Sequence, residues 1–269
     1  MTTPSALTRF RTEYGAHRAS EGRAHSHAEL LALPYVRNGP LAKQWSVRAR
    51  TFEAFMRRVV APVARGITDR PLRVLDLGAG NGWLCHRLAR HGSDAVAIDI
   101  RDDSVDGLGA AAPLLGAEFP PFERVVATFD ALPVGDAHFD VVVFNASLHY
   151  AIDLRSVLDE VRRVTQSGGR VAVLDSPFYD SEADGCAMVD DKRRNAATHF
   201  GERADALMAL PFIEFLTRER LDRASKGLGL AWRRHRVSYP LWYEARPYVA
   251  RLRRQRRPSR FDLWESTVA

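Results

Sequence analysis

The chain has 269 residues, of which 46% are hydrophobic, and its net charge is +6. This length and hydrophobic share are enough for one large α/β domain or one domain with additions. Its two cysteines, Cys85 and Cys186, lie far apart and no Cys/His ligand spacing occurs, so neither a disulfide framework nor a metal site is indicated. The first 14 residues have no apolar segment typical of a signal peptide, and no run reaches membrane-spanning length, so we expect a cytoplasmic protein without membrane insertion.

Residues 1–70 are predicted to form a helical and partly irregular cover ahead of the α/β section. The clearest helix is expected over Leu41–Arg65, where large apolar side chains recur at near-helical spacing. Tyr35 and Trp45 are candidates to close a pocket from this segment, with core packing as the alternative role.

Strands and helices are predicted to alternate from Pro71 to Ser176. The expected strands are Leu72–Leu77, Asp94–Asp99, Arg124–Phe129, Phe139–Asn145 and Arg170–Asp175. The expected helices between them are Gly82–His91, Asp103–Leu115 and Asp153–Thr165. This alternation predicts an α/β fold with a Rossmann-like, doubly wound, mostly parallel sheet whose ligand site lies at the carboxyl ends of its strands.

The regular alternation stops after Ser176. Residues 177–216 are predicted to form a polar, helical insertion that serves as a lid or substrate-pocket element. Thr217 is expected to cap a helix, and Arg233–Tyr239 and Leu241–Tyr248 are predicted as two closing strands that complete a seven-stranded sheet. The predicted central domain therefore spans 71–250, followed by a basic tail at 251–269.

Positive charge is concentrated near the C-terminus. Between Arg218 and Arg260 there are 14 Lys/Arg residues and three acids. Such a segment can bind nucleic acid, acidic lipid or an anionic substrate, or it can be a solvated helix face.

The first predicted strand ends in a glycine-rich turn. Gly78, Gly80 and Gly82 stand in a G-x-G-x-G pattern that differs from the G-x-G-x-x-G dinucleotide fingerprint. A turn of this kind lets backbone approach a ligand closely, although it also occurs as a plain strand-to-helix connection. Asp99 ends the second strand 21 positions beyond Gly78, where an acid can accept hydrogen bonds from two ribose hydroxyls or can cap a helix. The two features together indicate a ribose-bearing cofactor.

Five motifs in order complete the pattern. They are Val-Leu-Asp-Leu-Gly-Ala-Gly-Asn-Gly (74–82), Ala-Ile-Asp (97–99), Phe-Asp-Ala-Leu-Pro (129–133), Phe-Asp-Val-Val-Val-Phe-Asn (139–145) and Ser-Gly-Gly-Arg-Val-Ala-Val (167–173). This set resembles the class I S-adenosylmethionine-dependent methyltransferases of the small-molecule type. The resemblance covers residues 72–176, and it does not extend to 1–70 or 177–216.

The resemblance implies S-adenosylmethionine as cofactor and assigns roles to single residues. Asp76 and the backbone of Gly78, Ala79 and Gly80 would hold the methionine end, while Asp99 would take the ribose hydroxyls. The adenine would be met by Ile100, Asp130 and Ala131, and the methionine portion by the backbone of Asn145. Asp130 and Asn145 also have the simpler role of satisfying loop backbone groups.

Methyl transfer is an in-line displacement in which the protein mainly positions the nucleophile and excludes water. His149 follows the fourth strand and is the candidate catalytic base, with a structural or pocket-shaping role as the alternative. Tyr150, Tyr179 and His199 are weaker candidates for substrate contacts. The loop after the fourth strand contains Asn-Ala-Ser-Leu in place of the Asn/Asp-Pro-Pro-Tyr/Phe motif that the resemblance associates with methylation of amino groups on bases or glutamine.

Three functions compete at this point. The leading interpretation is methylation of oxygen, nitrogen or carbon on a small-molecule acceptor, because the N-terminal cover and the insertion together can enclose a pocket. The arginine-rich C-terminal region motivates an RNA or DNA methyltransferase as the alternative. A binding module without catalysis is the third, and the intact Asp76, glycine turn and Asp99 argue against it.

Overall fold

A computed structural model describes residues 4–269 and shows a seven-stranded sheet. The strands are β1 (Arg73–Leu77), β2 (Asp94–Asp99), β3 (Glu123–Val126), β4 (Phe139–Asn145), β5 (Thr165–Leu174), β6 (Arg233–His235) and β7 (Leu263–Thr267). Their order is β3-β2-β1-β4-β5-β7-β6, and only β7 runs antiparallel to its neighbours β5 and β6. The predicted mostly parallel, doubly wound α/β sheet is confirmed.

The sheet is buried on both faces because each central strand alternates its apolar side chains between two clusters. In β4, Val141 and Val143 face one cluster while Val142 and Phe144 face the other. All seven residues of β4 are buried, as expected for a central parallel strand covered by helices on both sides.

Several helices precede the sheet. They are α1 (Pro4–Ser20), α2 (His27–Ala32), α3 (Ala42–Phe55), a π-helical turn (Met56–Val60) and α4 (Ala61–Ala64). All but α1 contribute to the apolar cluster on one face of the sheet, and α1 packs in a separate cluster. From α3 through α4 the helix is continuous, as the periodicity predicts, and it buries Trp45, Phe52, Phe55 and Val59 against the sheet. These apolar side chains anchor the N-terminal segment to the sheet.

Crossover helices follow β1 and β4. Helix α5 (Trp83–Arg90) begins at Gly82, and α6 (Leu154–Val164) begins at Asp153, whose carboxylate accepts hydrogen bonds from two backbone amides of the first turn. The segment after β2 forms only a 3₁₀ helix, Leu108–Leu115, in place of the predicted α-helix over Asp103–Leu115. Pro113 lies inside it and cannot donate a backbone hydrogen bond.

The insertion after β5 is helical, as predicted. It contains α7 (Glu182–Arg194), α8 (Ala196–Phe200), a 3₁₀ turn (Gly201–Arg203) and α9 (Ala204–Leu207). Leu207 and Leu210 pack against Phe10 of α1 in a third apolar cluster. The N-terminal helix and the insertion therefore meet each other, although they lie far apart in sequence.

Of the two predicted closing strands, Arg233–Tyr239 is confirmed in part by β6 (Arg233–His235), and the second needs correction. Helix α10 (Arg218–Ala224) is capped by Thr217 as expected, but Leu241–Tyr248 is not a strand. That region forms α11 (Leu241–Glu244) and α12 (Arg246–Leu252), since Pro247 lies in the first turn of α12, where a missing amide hydrogen has no cost. The seventh strand, β7, comes instead from the segment predicted as a basic tail, and a domain boundary at residue 250 would cut it from the sheet.

Candidate active site

A partly open cavity of about 280 Å³ lies at the carboxyl ends of β1, β2 and β4. Its wall includes the glycine turn after β1, Asp99 and Ile100 after β2, and Asn145 after β4. This is the edge at which open parallel sheets bind ligands. The structure therefore brings together the strand ends that the sequence motifs single out.

The glycine turn is held by hydrogen bonds to the neighbouring strand β2. The amides of Gly78 and Ala79 both donate to the Ile98 carbonyl, at 2.7 and 3.0 Å. Gly78 has φ +75°, and a Cβ at this position would overlap the side chain of Ser147. The Ser147 hydroxyl in turn donates to the Leu77 carbonyl. Glycine at 78 therefore makes room for the loop after β4, a neighbour that the motif alone does not show.

Asp99 supports the turn as well as facing the cavity. Its two carboxylate oxygens accept hydrogen bonds from the amides of Gly80 and Arg101, each at 2.9 Å. Burial raises the pKa of Asp99, and the two amide donors oppose that rise. Each carboxylate oxygen has further acceptor capacity, so a ligand with two adjacent hydroxyl groups fits this position.

Two further predicted cofactor residues differ in placement. Asn145 lies on the cavity wall, and its buried Oδ1 has no hydrogen-bond partner among the described residues. Asp76 is fully buried behind the turn, 3.9 Å from the Cys85 sulfur, and does not reach the wall. Burial, and then the charge of Asp99, raises the pKa of Asp76 to about 8. Asp76 can therefore influence a ligand only indirectly, through the backbone of the glycine turn.

The predicted adenine contacts are partly on the wall. Ile100 and Asp130 line the cavity, with Asp130 otherwise exposed, whereas Ala131 does not line it. Thr128 and Phe129 contribute to the wall between β3 and this loop. The third strand ends at Val126, so these residues belong to a loop and not to the strand predicted over Arg124–Phe129.

His149 does not line the cavity. Its ring packs on Tyr150, with centroids 4.2 Å apart, and its Nδ1 is buried without a hydrogen-bond partner among residues 4–269. Burial, and then the nearby cations Lys192, Arg48 and Arg18, lowers the pKa of His149 to about 3. A group with so low a pKa is a weak base at neutral pH, so the geometry gives no support to a catalytic His149.

The weaker substrate candidates separate in the same way. Tyr150 lines the cavity, and its hydroxyl lies 2.7 Å from that of Tyr14 on α1. Tyr179 is buried elsewhere and accepts a hydrogen bond from Arg256, and His199 is exposed on α8. Neither Tyr179 nor His199 reaches the cavity.

Sequence reasoning missed the contribution of α1. Leu7, Phe10, Tyr14 and Arg18 all line the cavity and share one face of the helix. Their spacing of three to four residues was the available signal. Phe212, near the end of the insertion, closes the same side and lies edge-on to Phe10, with centroids 5.0 Å apart.

The arginine-rich segment is partly engaged by its own chain. Arg256 pairs with Asp191 at 3.0 Å, Arg257 pairs with Asp180 at 2.9 Å, and Arg260 forms ion pairs with acidic side chains of the C-terminal region. Three of the six arginines between Arg251 and Arg260 therefore have a structural role, which weakens the case for a continuous nucleic-acid-binding surface.

The described part of the chain contains no group of three or more His, Cys, Asp or Glu side chains arranged to hold a metal ion. None of its helices is both long enough and apolar enough to cross a bilayer.

Comparison with known proteins fits this geometry. Residues 75–173 match the family model described as a methyltransferase domain, from β1 through most of β5. The chain contains a class I S-adenosylmethionine-dependent methyltransferase domain. The glycine turn and the strand ends carrying Asp99 and Asn145 all fall within the matched region of this domain.

Individual relatives match only part of this chain. An uncharacterised methyltransferase of Mycobacterium tuberculosis is 36% identical over 102 residues, which is 38% of this chain and 39% of the relative. The malonyl-[acyl-carrier protein] O-methyltransferase of Halorhodospira halophila is 34% identical over 137 residues, 45% of each chain. The chain thus spans less than half the length of these relatives.

Solved structures resemble the fold over a greater length. Magnesium protoporphyrin IX methyltransferase from Synechocystis PCC 6803, with bound S-adenosylhomocysteine, gives a TM-score of 0.58 at 14% identity and covers 97% of this chain and 100% of its own. Geranyl diphosphate C-methyltransferase from Streptomyces coelicolor gives 0.57 at 14% identity, with 99% and 98% covered. At these identities the likeness concerns the fold of the methyltransferase domain and its additions.

Proposed function

We propose that this protein transfers the methyl group of S-adenosylmethionine to a small-molecule acceptor. The observation that carries the proposal is one cavity that joins the methyltransferase motifs to a cover formed by α1 and the insertion. Such a cavity suits a ligand that is enclosed on binding, whereas a nucleic-acid substrate requires an open, basic groove.

The cavity wall fits the cofactor in two respects. Asp99 presents carboxylate oxygens with spare acceptor capacity, and the buried Asn145 Oδ1 lacks a partner among the described residues. A Cβ at Gly80 would make a tight contact of 3.2 Å with the Asp106 carbonyl, and the residue has φ +55°, so glycine suits this part of the turn. When bound, the cofactor supplies an activated methyl group that needs no metal.

The remaining wall residues position the acceptor and exclude water. Phe10, Tyr14 and Phe212 form an aromatic cover, and Tyr14 is fixed by its hydrogen bond to Tyr150. Among residues 4–269, no histidine lines the cavity. Catalysis therefore rests on orientation and desolvation of an acceptor that is nucleophilic without a histidine base.

Relatives with related domains act on several acceptor types. One is a malonyl-[acyl-carrier protein] O-methyltransferase, and another is a demethylmenaquinone methyltransferase from Clavibacter sepedonicus, 35% identical over 118 residues. These names support a small-molecule or carrier-bound acceptor for this chain, and they leave the acceptor atom open.

Calorimetry with S-adenosylhomocysteine tests the proposal. Wild type should bind, and Asp99→Asn should weaken binding by on the order of 2–4 kcal/mol, because the ribose would lose two hydrogen bonds to a charged acceptor. Asn is preferred to Ala because its side-chain oxygen can keep one of the amide bonds that hold the turn. Asp102→Asn is the matched control, since this exposed carboxylate lies three residues away and off the cavity wall. Absence of binding by wild type would refute the cofactor assignment.

A further inference from the structure

Four arginines line the cavity. Arg101 follows β2 and pairs with Asp103 at 2.7 Å, and the other three come from separate elements of the N-terminal segment. Arg18 lies near the end of α1, Arg23 lies in the following loop and Arg48 lies on α3. Burial, and then the charges of Arg18 and Arg48, lowers the pKa of Arg23 to about 10. The protein therefore holds like charges close together in a poorly solvated place, an arrangement that is costly unless anions balance it.

Only one of the three has a strong internal partner. Arg18 donates to the Asp106 carboxylate at 2.6 Å. Arg23 donates to the neutral amide oxygen of Gln44, and the Glu21 carboxylate lies 3.5 Å from its Nε, which is buried without a hydrogen bond. The charge of Arg23 is thus incompletely compensated.

Arg48 is less compensated still. Within residues 4–269, its guanidinium has no hydrogen bond or ion pair, and its described contact is with the Trp45 ring, whose centroid is 5.0 Å away. Burial lowers the pKa of Arg48 although the charge of Asp175 acts in the opposite direction. A guanidinium fork with free donors is a geometry suited to a carboxylate or phosphate.

The cofactor does not neutralise this cluster. S-adenosylmethionine carries one carboxylate, one ammonium and one sulfonium, so its binding adds net positive charge. Its single carboxylate can occupy one guanidinium at most in bidentate fashion. Of the four carboxylates on the wall, Asp106 accepts from Arg18, Asp99 and Asp153 accept from backbone amides, and Asp130 is exposed. At least one arginine is therefore left for the acceptor.

The rest of the acceptor side is apolar. Phe10, Tyr14, Tyr150 and Phe212 place four aromatic rings in mutual contact at centroid distances of 5.0 to 5.7 Å. An acceptor that satisfies both surroundings has an apolar body and one anionic group.

We propose, building on the methyltransferase function above, that the acceptor is an amphipathic organic anion whose carboxylate or phosphate is bound by Arg23 and Arg48. The anionic group serves as the binding handle, and the aromatic cover receives the apolar body. Phosphate and carboxylate share the chemistry that a guanidinium pair recognises, and the test below separates them.

The experiment uses the full chain saturated with S-adenosylhomocysteine. Octanoate and octyl phosphate are titrated by calorimetry beside octanamide and octanol, which have the same apolar body without the charge. Wild type should prefer one of the anions by about tenfold or more, as for a charge-assisted hydrogen-bonded pair. The tighter of the two anions assigns the headgroup. Arg23→Gln combined with Arg48→Gln should reduce the preference to near unity, and Arg50→Gln, on the exposed side of α3, should leave it unchanged.

The outcomes separate this proposal from the proposed function. If wild type does not bind S-adenosylhomocysteine, the methyltransferase assignment fails first. If it binds S-adenosylhomocysteine but takes octanamide as tightly as both anions, only the anionic-acceptor proposal is overturned. A double variant that keeps the preference overturns it too. If Arg23→Gln or Arg48→Gln alone weakens S-adenosylhomocysteine binding, that arginine serves the cofactor carboxylate, and the proposal that both arginines bind the acceptor is overturned.

A second inference rests on a different surface. Helices α11 and α12 expose large apolar side chains, with Leu241 88%, Tyr248 77% and Leu252 86% exposed. Trp242 and Val249 add to the same region at 44% and 43%. Isolated exposed apolar residues are ordinary, but five within twelve positions form a patch that indicates an interaction surface.

Positive charge borders this patch. Arg251, Arg253 and Arg254 are exposed, and among residues 4–269 their side chains have no hydrogen bond or ion pair. Exposed Leu, Trp and Tyr beside unpaired arginines match an interface with acidic lipid, where apolar side chains enter the headgroup region and arginines meet lipid phosphates.

We infer that α11, α12 and the following arginines bind the surface of an anionic membrane. Vesicles of phosphatidylcholine, with and without phosphatidylglycerol, are sedimented with the full chain at low and high salt. The protein should sediment with the anionic vesicles, and less so at high salt. Leu241→Ser with Leu252→Ser, and separately Arg251→Gln with Arg253→Gln and Arg254→Gln, should each lower the bound fraction severalfold. Val126→Ser, which removes an exposed apolar side chain on β3, is the matched control.

Three results would overturn the membrane inference. The first is no sedimentation with anionic vesicles at low salt. The second is a concentration-dependent dimer, seen by light scattering, that the Leu241→Ser, Leu252→Ser variant abolishes while vesicles bind neither protein. The third is salt-sensitive retention of labelled RNA, lost in the triple arginine variant, without any vesicle binding.

Discussion

The histidine at 149 gives a sharp test of the electrostatics around the cavity. Its pKa in the folded protein is lowered from 6.5 to about 3, mainly because the ring is buried and secondarily because Lys192 and two arginines lie nearby. In the unfolded chain the same ring takes up a proton near its ordinary pKa. Between these two values the unfolded state binds one proton more than the native state, so stability is full above about pH 6.5 and is lost as the pH falls.

The magnitude follows from the two pKa values. At about pH 5 the unfolded ring is almost fully protonated and the native ring is not, which corresponds to about 2 kcal/mol of lost stability. His149→Phe keeps a planar ring against Tyr150 and removes the titration. Between about pH 7.5 and pH 5, the variant should therefore lose about 2 kcal/mol less than wild type.

Urea denaturation at several pH values measures this difference. The linear extrapolation gives the free energy of unfolding at each pH, and the slope m reports whether the unfolded states remain comparable. His91→Phe is the control, because His91 is exposed and its removal should leave the acid sensitivity unchanged. If His149→Phe loses as much stability as wild type, the native ring is protonated and the argument against a catalytic base falls.

Two further substitutions test the turn after β1. Gly78→Ala should unfold at a lower temperature than Gly92→Ala. Both positions have positive φ, so alanine at either one costs about 1–2 kcal/mol of backbone strain. Only the Cβ at position 78 overlaps Ser147, and this overlap should destabilise the variant by about 1–3 kcal/mol more. Scanning calorimetry of both variants measures the difference, and equal melting temperatures would show that the loop after β4 yields easily. For Asp76, the folded pKa of about 8 lies above the ordinary 3.8, so the native state holds the extra proton between these values and stability falls as pH rises. The free energy of unfolding of Asp76→Asn should therefore rise relative to that of wild type from about pH 5 to pH 8 and then level off. Urea denaturation measures both free energies, and a difference between them that does not change with pH would contradict the raised pKa.

The cofactor half of the site was predictable because its parts are local in sequence. The glycine turn and Asp99 belong to a single strand–helix–strand unit, β1, α5 and β2, in which parallel pairing places the two strand ends side by side. Asn145 joins them because β4 pairs with β1 on the other side. Residues that form a motif along the sequence are therefore also neighbours in the folded structure, because strand pairing alone brings them together.

The acceptor half was not predictable in this way. Tyr14, Arg18 and Arg48 lie on helices before the sheet, and Phe212 lies in the insertion, so only tertiary packing brings them to one cavity. His149 is the opposite case, a residue that the sequence singled out and that the geometry does not support as a base. Its position after β4 suggested a base, but burial and nearby positive charge, which a sequence motif does not report, make the ring a poor one.

The last strand was misplaced for a local reason. Leu-Trp-Tyr-Glu and the residues after it offer aromatic and β-branched side chains of the kind found in strands, yet Pro247 starts a helix there. The strand that does close the sheet, β7, contains Trp264, which stacks on Phe178 with centroids 4.7 Å apart. That partner lies in the loop after β5, and a contact across so many residues leaves no periodic signal in the sequence.

Asp106 connects the two halves of the site. One carboxylate oxygen accepts a hydrogen bond from the Asn81 side chain in the glycine turn, at 3.1 Å, and the other accepts one from Arg18 on α1, at 2.6 Å. The glycine turn is therefore linked, through the buried carboxylate of Asp106, to α1 on the cavity wall. Arg18 also lies near Arg23 and Arg48, so Asp106 links the turn to the arginine cluster. The same chain of contacts gives a physical reason for α1 to be ordered over the cavity, since its polar end is fixed by Asp106 and its apolar face by Leu207 and Leu210.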